Sequence, residues 1–165
     1  MISPMINILI INKSNQNGFT LVELMIVIAI VGIIATVGYP SFINVSQSTY
    51  RTAGQSDLMA FAGAMERHKL ANYTYQGAAA SGANTGAPTV FATYSPSQEG
   101  PSNKRFDLTI SSMNTNGTEY TITATPVTGG VMADNGVLVY SSDGRKAWDK
   151  NNNGSISADE YCWQC

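Results

Sequence analysis

Charge vanishes from one stretch of this chain and then returns. From Phe19 to Tyr39 the only charged residue is Glu23, and nearly every other position is Leu, Ile, Val, Met, Ala or Gly. A run of about 20 apolar residues is long enough to cross the hydrocarbon core of a membrane as a helix. Beyond Pro40 the apolar positions thin to a stripe. Phe42, Val45, Leu58, Phe61 and Met65 fit one helical face, with Gln47, Arg51, Gln55, Glu66 and Lys69 mostly off it. Pro40 removes one intrahelical hydrogen bond and kinks such a helix without ending it. Gly54 and Gly63 each weaken it by up to about 1 kcal/mol relative to Ala. The pattern predicts one helix from Phe19 to about Ala71. Its first half spans a membrane, and its second half offers one stripe to a globular head.

Asn72 to Asn103 reads as a long irregular connection, rich in Gly, Ala, Ser, Thr and Pro. The period then changes to two. Phe106 to Ile110 and Tyr120 to Ala124 alternate apolar and polar residues around a turn at Asn116-Gly117. Val137 to Tyr140 and Arg145 to Trp148 form a second pair across Asp143-Gly144. Four short antiparallel strands can bury one face only against another layer, and the second half of the helix supplies it. The expected fold class is α+β: a long N-terminal helical spine packed against a four-stranded antiparallel meander.

A carboxylate inside an apolar span costs roughly 2.5–3.5 kcal/mol, so Glu23 needs a partner or a purpose. Cleavage after Gly18 would provide one, the new amine of Phe19. The run Gly18-Phe19-Thr20-Leu21-Val22-Glu23 followed by an apolar helix resembles the amino-terminal signature of type IV pilins and pseudopilins. The resemblance implies that a prepilin peptidase cuts between Gly18 and Phe19 and N-methylates Phe19. It makes Glu23 the assembly carboxylate and places Gly32 and Pro40 as helix-weakening positions. The implied organisation is a leader over 1–18 that is removed, a transmembrane and filament-core helix over 19–40, an amphipathic helix over 41–71, and a pilin head over 72–165. An ordinary secretory signal carries its apolar stretch before the cleavage site and discards it; here the stretch follows the Gly-Phe junction. The leader departs from the family's short basic form, since Lys13 is its only charge, and Met5 is an alternative start.

Met65-Glu66-Arg67-His68, Tyr120 to Pro126 and the segment Asn135 to Lys146 resemble the minor pilins of the type IVa pilus more than its major subunit. Those minor pilins commonly carry a cysteine before the Gly-x-Leu strand, paired with one near the carboxyl end. Asn135 holds that position here, so the long staple is missing.

Asp149 to Glu160 fits the twelve-residue calcium-loop pattern D-x-[DN]-x-[DN]-G-x5-E. Asp149, Asn151 and Asn153 bring side-chain oxygens from alternate positions, and Gly154 permits the sharp turn. Ser155 would offer its backbone carbonyl, Ile156 would anchor the loop on the core, and Glu160 can close the shell with both oxygens. With only two formal charges, such a loop is expected to bind on the order of 10⁻⁴–10⁻³ M. The bland alternative is an Asn/Gly-rich solvated turn.

The chain holds two cysteines, Cys162 and Cys165, in Cys162-Trp163-Gln164-Cys165. A short structural disulfide is the leading expectation for an exported domain, beside a bond to a neighbouring subunit, a redox pair or a zinc half-site. His68, next to Arg67 and Lys69, reads as a solvated helix-end residue.

At 165 residues with a formal charge of −2, the chain has room for one anchor and one small domain. Losing the leader removes Lys13 and no acid, which makes the balance more negative. With no basic cluster larger than Arg145-Lys146, no dedicated nucleic-acid binding is expected, although service in a DNA-uptake filament is compatible. No nucleophile–base pair or phosphate loop can be assembled, so a non-enzymatic, structural role is expected. The resemblance implies a minor pilin that primes or enters a type IV pilus for motility, adhesion or DNA uptake. Its partners would be other pilins, the prepilin peptidase and an inner-membrane assembly platform. Its course would run from the bacterial inner membrane to a periplasmic or extracellular filament. The alternative is a type II secretion pseudopilin, whose major form also carries a calcium loop near its carboxyl end. An anchored adhesin or DNA-binding module is the third possibility.

Overall fold

A computed structural model describes residues 18–164, apart from the Val37 side chain. The element order is α1 (Leu21–Asn72), then β1 (Tyr94–Ser95), β2 (Phe106–Met113), β3 (Tyr120–Pro126), β4 (Leu138–Ser141) and β5 (Lys146–Trp148). The chain separates into two compact units at Tyr39/Pro40, inside α1. In the first unit the apolar side chains are exposed, among them Leu21, Ile28, Val31 and Ile33. This is the one described helix long and apolar enough to cross a membrane. Pro40 lies within α1, and the helix is assigned through both it and Gly32.

In the second unit the five strands form one sheet in chain order, each antiparallel to its neighbour. Phe106, Leu108 and Ile110 on β2 alternate with less buried residues, as do Tyr120, Ile122 and Ala124 on β3. The period-two pattern therefore has one face to bury, and Leu58, Phe61 and Met65 of α1 cover it, each fully inaccessible. Fully burying a side chain of this size contributes about 1.5–3 kcal/mol. Gly54 has a packing reason rather than a conformational one. A Cβ there would lie 3.1 Å from Leu138 Cδ1 and 3.2 Å from Phe106 Cε2, so the missing side chain lets helix and sheet approach closely.

Two expectations need correction. The sheet has five strands, because β1 pairs with β2 inside the segment read as irregular. Phe42 and Val45 are 70% and 64% exposed and take no part in the head's core. Helical periodicity found the face but could not tell how far along it a covering layer extends. Arg51 and Gln55, read only as lying off the apolar stripe, make specific contacts. The Arg51 guanidinium lies 3.9 Å from the Trp148 ring centroid and its Nε donates to Asn135 Oδ1 at 2.9 Å. Gln55 donates to the Trp163 carbonyl at 3.0 Å.

These contacts fasten the carboxyl-terminal segment. Trp148 Nε1 donates to the Asn135 carbonyl at 2.6 Å. Asn135 thus receives one hydrogen bond from α1 and one from β5, at the position where the resemblance led one to look for a cysteine. The Trp163 indole N–H reaches the carbonyls of Val139 and Ala147, a register pair of β4 and β5.

Candidate functional site

The amino-terminal site begins at the first turn of α1. Thr20 Oγ1 accepts from Glu23 N at 3.2 Å, and Glu23 Oε2 accepts from Thr20 N at 3.5 Å. The T-x-x-E spacing of Thr20 and Glu23 therefore forms a capping box, a signal present in the sequence and missed in reading it. The box turns the Glu23 carboxylate back toward the start of the helix, where the positive end of its dipole favours an anion. Gly18 and Phe19 precede the helix and are exposed, and Phe19 is 85% accessible.

The second site is the loop from Asp149 to Glu160. Gly136 sets where it starts. Its φ is +69°, and a Cβ there would overlap the Asp149 carbonyl oxygen, so only glycine allows the chain before β4 to pass the end of β5. Asp149 and Glu160 are both buried. Asp149 accepts from Asn153 N at 3.0 Å and Gly154 N at 2.9 Å through its two carboxylate oxygens. Asn151 Oδ1 accepts from Asn153 N at 3.0 Å, and Asn153 Oδ1 from Ser155 N at 2.8 Å. These bonds curl the loop and leave each oxygen a further lone pair. Asn152 and Gly154 have positive φ, the latter as the loop pattern requires.

Glu160 closes the loop from the other end. Its Oε1 accepts from Asn151 N at 3.3 Å, and its Oε2 from Ser157 N and Oγ at 2.9 and 2.8 Å. Ser157 and Glu160 form a capping box on the 3-10 turn Ala158–Glu160. The Ser157 backbone amide, and then its hydroxyl, hold the Glu160 carboxyl below its ordinary pKa. Among the described residues no group of three or more His, Cys, Asp or Glu side chains is placed to hold a metal. The donor set of this loop is instead two carboxylates plus amide and carbonyl oxygens, the hard-oxygen chemistry that suits calcium. Ile156 is only half-buried, a weaker anchor than the pattern suggests. Cys162 is half-buried, and Cys165 lies outside the described residues, so the Cys162–Cys165 pairing is not described.

A third cluster went unread in the sequence. Asp57, buried on α1, accepts from Ser95 Oγ at 2.6 Å and from Ser97 N and Oγ at 2.9 and 2.6 Å. It ties β1 to the helix. Nearby in sequence, Tyr75 donates to Glu66 at 2.6 Å and packs edge-on against Tyr120 at 4.6 Å. Burial pushes both phenol pKa values up, so the pair stays protonated and acts as packing. His68 Nε2 lies 2.9 Å from the Gln76 carbonyl at the helix end.

An apolar amino-terminal helix with an internal carboxylate, followed by a helix-backed antiparallel meander, defines a type IV pilin-like protein. Residues 40–135, more than half of the chain, match the family described as type IV minor pilin ComP, DNA uptake sequence receptor, and the chain belongs to that family. Residues 13–39 match the prokaryotic N-terminal methylation motif. The chain is also similar to type II secretion system core protein G. The Pseudomonas aeruginosa protein is 35% identical over 63 residues, which cover 38% of this chain and 44% of the relative. The Klebsiella pneumoniae protein is 40% identical over 60 residues, covering 36% and 43% respectively. The Escherichia coli protein is 35% identical over 60 residues, covering 36% and 41%. The chain thus spans less than half the length of the curated relatives it matches. No solved structure matches it.

Proposed function

We propose that this chain is a minor pilin subunit of a type IV pilus serving DNA uptake, processed between Gly18 and Phe19 and N-methylated at Phe19. The observation that carries the reading is the pairing of the methylation motif with an apolar helix whose only internal charge is Glu23. In this proposal residues 19–39 wait in the inner membrane and then enter a bundle of like helices as the filament grows, drawn out by the assembly platform. Glu23, poised at the helix start by Thr20, neutralises the Phe19 amine of an adjoining subunit. A buried ion pair of this kind fixes register more dependably than it adds stability. Gly32 and Pro40 weaken the helix between them, so that segment can unwind on extraction. The family's description supports a DNA-uptake role. Net charge argues against a broad nucleic-acid surface, and the two agree where contact is local and made by few residues.

Glu23→Ala tests the reading. The variant should be cleaved and inserted normally yet be missing from sheared surface fibres, and normal incorporation would overturn the role. A second reading, a type II secretion pseudopilin with a calcium-stabilised head, is favoured by the core protein G relatives. Deleting the gene separates the two: loss of DNA uptake with normal protein export supports the pilus, and the converse supports the pseudopilus.

In either reading Asp149, Asn151, Asn153, Ser155 and Glu160 would hold calcium. The ion would supply a positive centre for oxygens that now rest on loop amides. Cys162 and Cys165 would close the carboxyl end as a short disulfide, checked by mass spectrometry of non-reduced peptides.

A further inference from the structure

Two stretches without charge meet at one end of the head. Pro40 to Tyr50 opens the second unit and carries no charged side chain. Neither does Pro126 to Ala133, which ends β3 and runs on toward β4. The fold ties one to the other: Gln47 Nε2 donates to the Val131 carbonyl at 2.9 Å. Two successive turns curl the connection, with Gly130 N donating to the Val127 carbonyl at 3.3 Å and Ala133 N to that of Gly130 at 3.1 Å. Met132 is buried in the core, while Val131 beside it stays 40% exposed. On α1, Phe42 and Val45 are exposed as well.

These three apolar side chains do not share one face. Phe42 and Gln47 stand about 140° apart around a helix of 3.6 residues per turn, so the loop held by Gln47 lies on a different side from Phe42. One flat partner cannot cover positions spread around a helix at one level, whereas a fluid layer surrounding the helix covers them together. Their level suits such a layer. The apolar run from Phe19 ends at Tyr39, next to Pro40 in the chain. At 1.5 Å per residue, Phe42 follows Pro40 by about 3 Å along the helix and Val45 by about 8 Å. The headgroup region of a bilayer is about 5–8 Å deep on each side. Aromatic rings are favoured there, and a charge drawn in would lose hydration. Neither segment holds a charge to lose it.

We infer that this end of the head is a lipid-binding belt. Phe42, Val45 and Val131 sit among the headgroups of the membrane that residues 19–39 cross, and they hold the head against its surface before assembly. The inference rests on the membrane-anchored reading and adds a second contact to it. The test uses the full chain at one copy per phosphatidylcholine nanodisc, with methyl-labelled Val, Leu and Ile followed by NMR. A spin label on the lipid headgroup should broaden away most of the Val45 and Val131 methyl signal. Leu138, buried in the core, should stay sharp. A label near the acyl-chain end should broaden Ile28. If Ile28 broadens while Val131 stays as sharp as Leu138, the belt is overturned and the membrane span stands. If Ile28 is untouched as well, both are removed. If Val131 changes only when several copies share a disc, the surface is a contact between subunits and the lipid assignment is overturned.

Discussion

Helix α1 contains two kinds of apolar surface under one hydrogen-bonding pattern. Between Leu21 and Ile34 the large apolar side chains are at least half exposed, whereas Leu58, Phe61 and Met65 are wholly buried. The outer stretch has its complement in the same chain, the sheet face of Phe106, Leu108, Ile110 and Ile122. The inner stretch has none in its own unit and must find it in lipid or in other subunits. The difference lies in the partner and not in propensity, and it predicts where substitutions act. Phe61→Ala should cost the head about 3–5 kcal/mol. Ile28→Ala should leave the head within about 0.5 kcal/mol of the unaltered chain. Denaturant unfolding of the full chain in micelles, followed by Trp148 and Trp163 fluorescence, measures both. Equal losses would erase the distinction.

Asp57 sharpens the comparison, because it shows the outer stretch using polar contacts as well. Its carboxylate satisfies three donors from Ser95 and Ser97. Asp57→Ala should leave those groups short of partners and cost about 2–3 kcal/mol. Hydrogen exchange should speed up in residues 94–97 before the rest of the sheet. Uniform protection there would mean that β1 holds without its anchor.

What the sequence disclosed follows the same line. The apolar run, the Gly-Phe junction and the period-two strands were legible because each is a local pattern with one physical meaning. The Asp143-Gly144 turn was legible for the same reason, with Gly144 at φ +88°. Strand β1 was not: two residues become a strand only because β2 and a carboxylate on α1 meet them, which no local window contains. Phe42 and Val45 were misread because periodicity names a face without naming its cover. The places of Arg51 and Arg105 over Trp148 and Tyr50 lie beyond any local window, because each pairs residues far apart in the chain. The loop at 149–160 matches a ligand pattern in sequence, and what the structure adds is the set of hydrogen bonds that curl it.

That loop extends the comparison from apolar to polar demand. In the calcium proposal it holds groups that, like the inner half of α1, find a further partner outside the chain. At about 10 mM calcium and a Kd on the order of 10⁻⁴–10⁻³ M, binding should stabilise the head by roughly 1–3 kcal/mol. Calcium should therefore raise the melting temperature by a few degrees, and Asp149→Ala should abolish the gain. Equal melting in calcium and in chelator would make the loop a solvated turn.

The smallest effect concerns protons. Ser157 lowers the pKa of Glu160, through its amide first, and that of Asp159, through its hydroxyl first. A carboxyl bound more loosely to its proton in the folded chain stabilises that chain above the unfolded pKa, near 4.5 for Glu160. The contribution is lost as pH falls through the lower folded value. Acid should therefore loosen the loop, beginning below about pH 5, with the apolar contacts of Phe61 untouched. Without calcium, the melting temperature of the unaltered head should fall more steeply from pH 5 to pH 3 than that of Glu160→Gln. The substituted side chain does not titrate, and Asp159→Asn removes the neighbouring contribution as a control. Parallel slopes for Glu160→Gln and the unaltered chain would mean that the Ser157 contacts do not discriminate between the two protonation states. The loop would then respond to the cation alone.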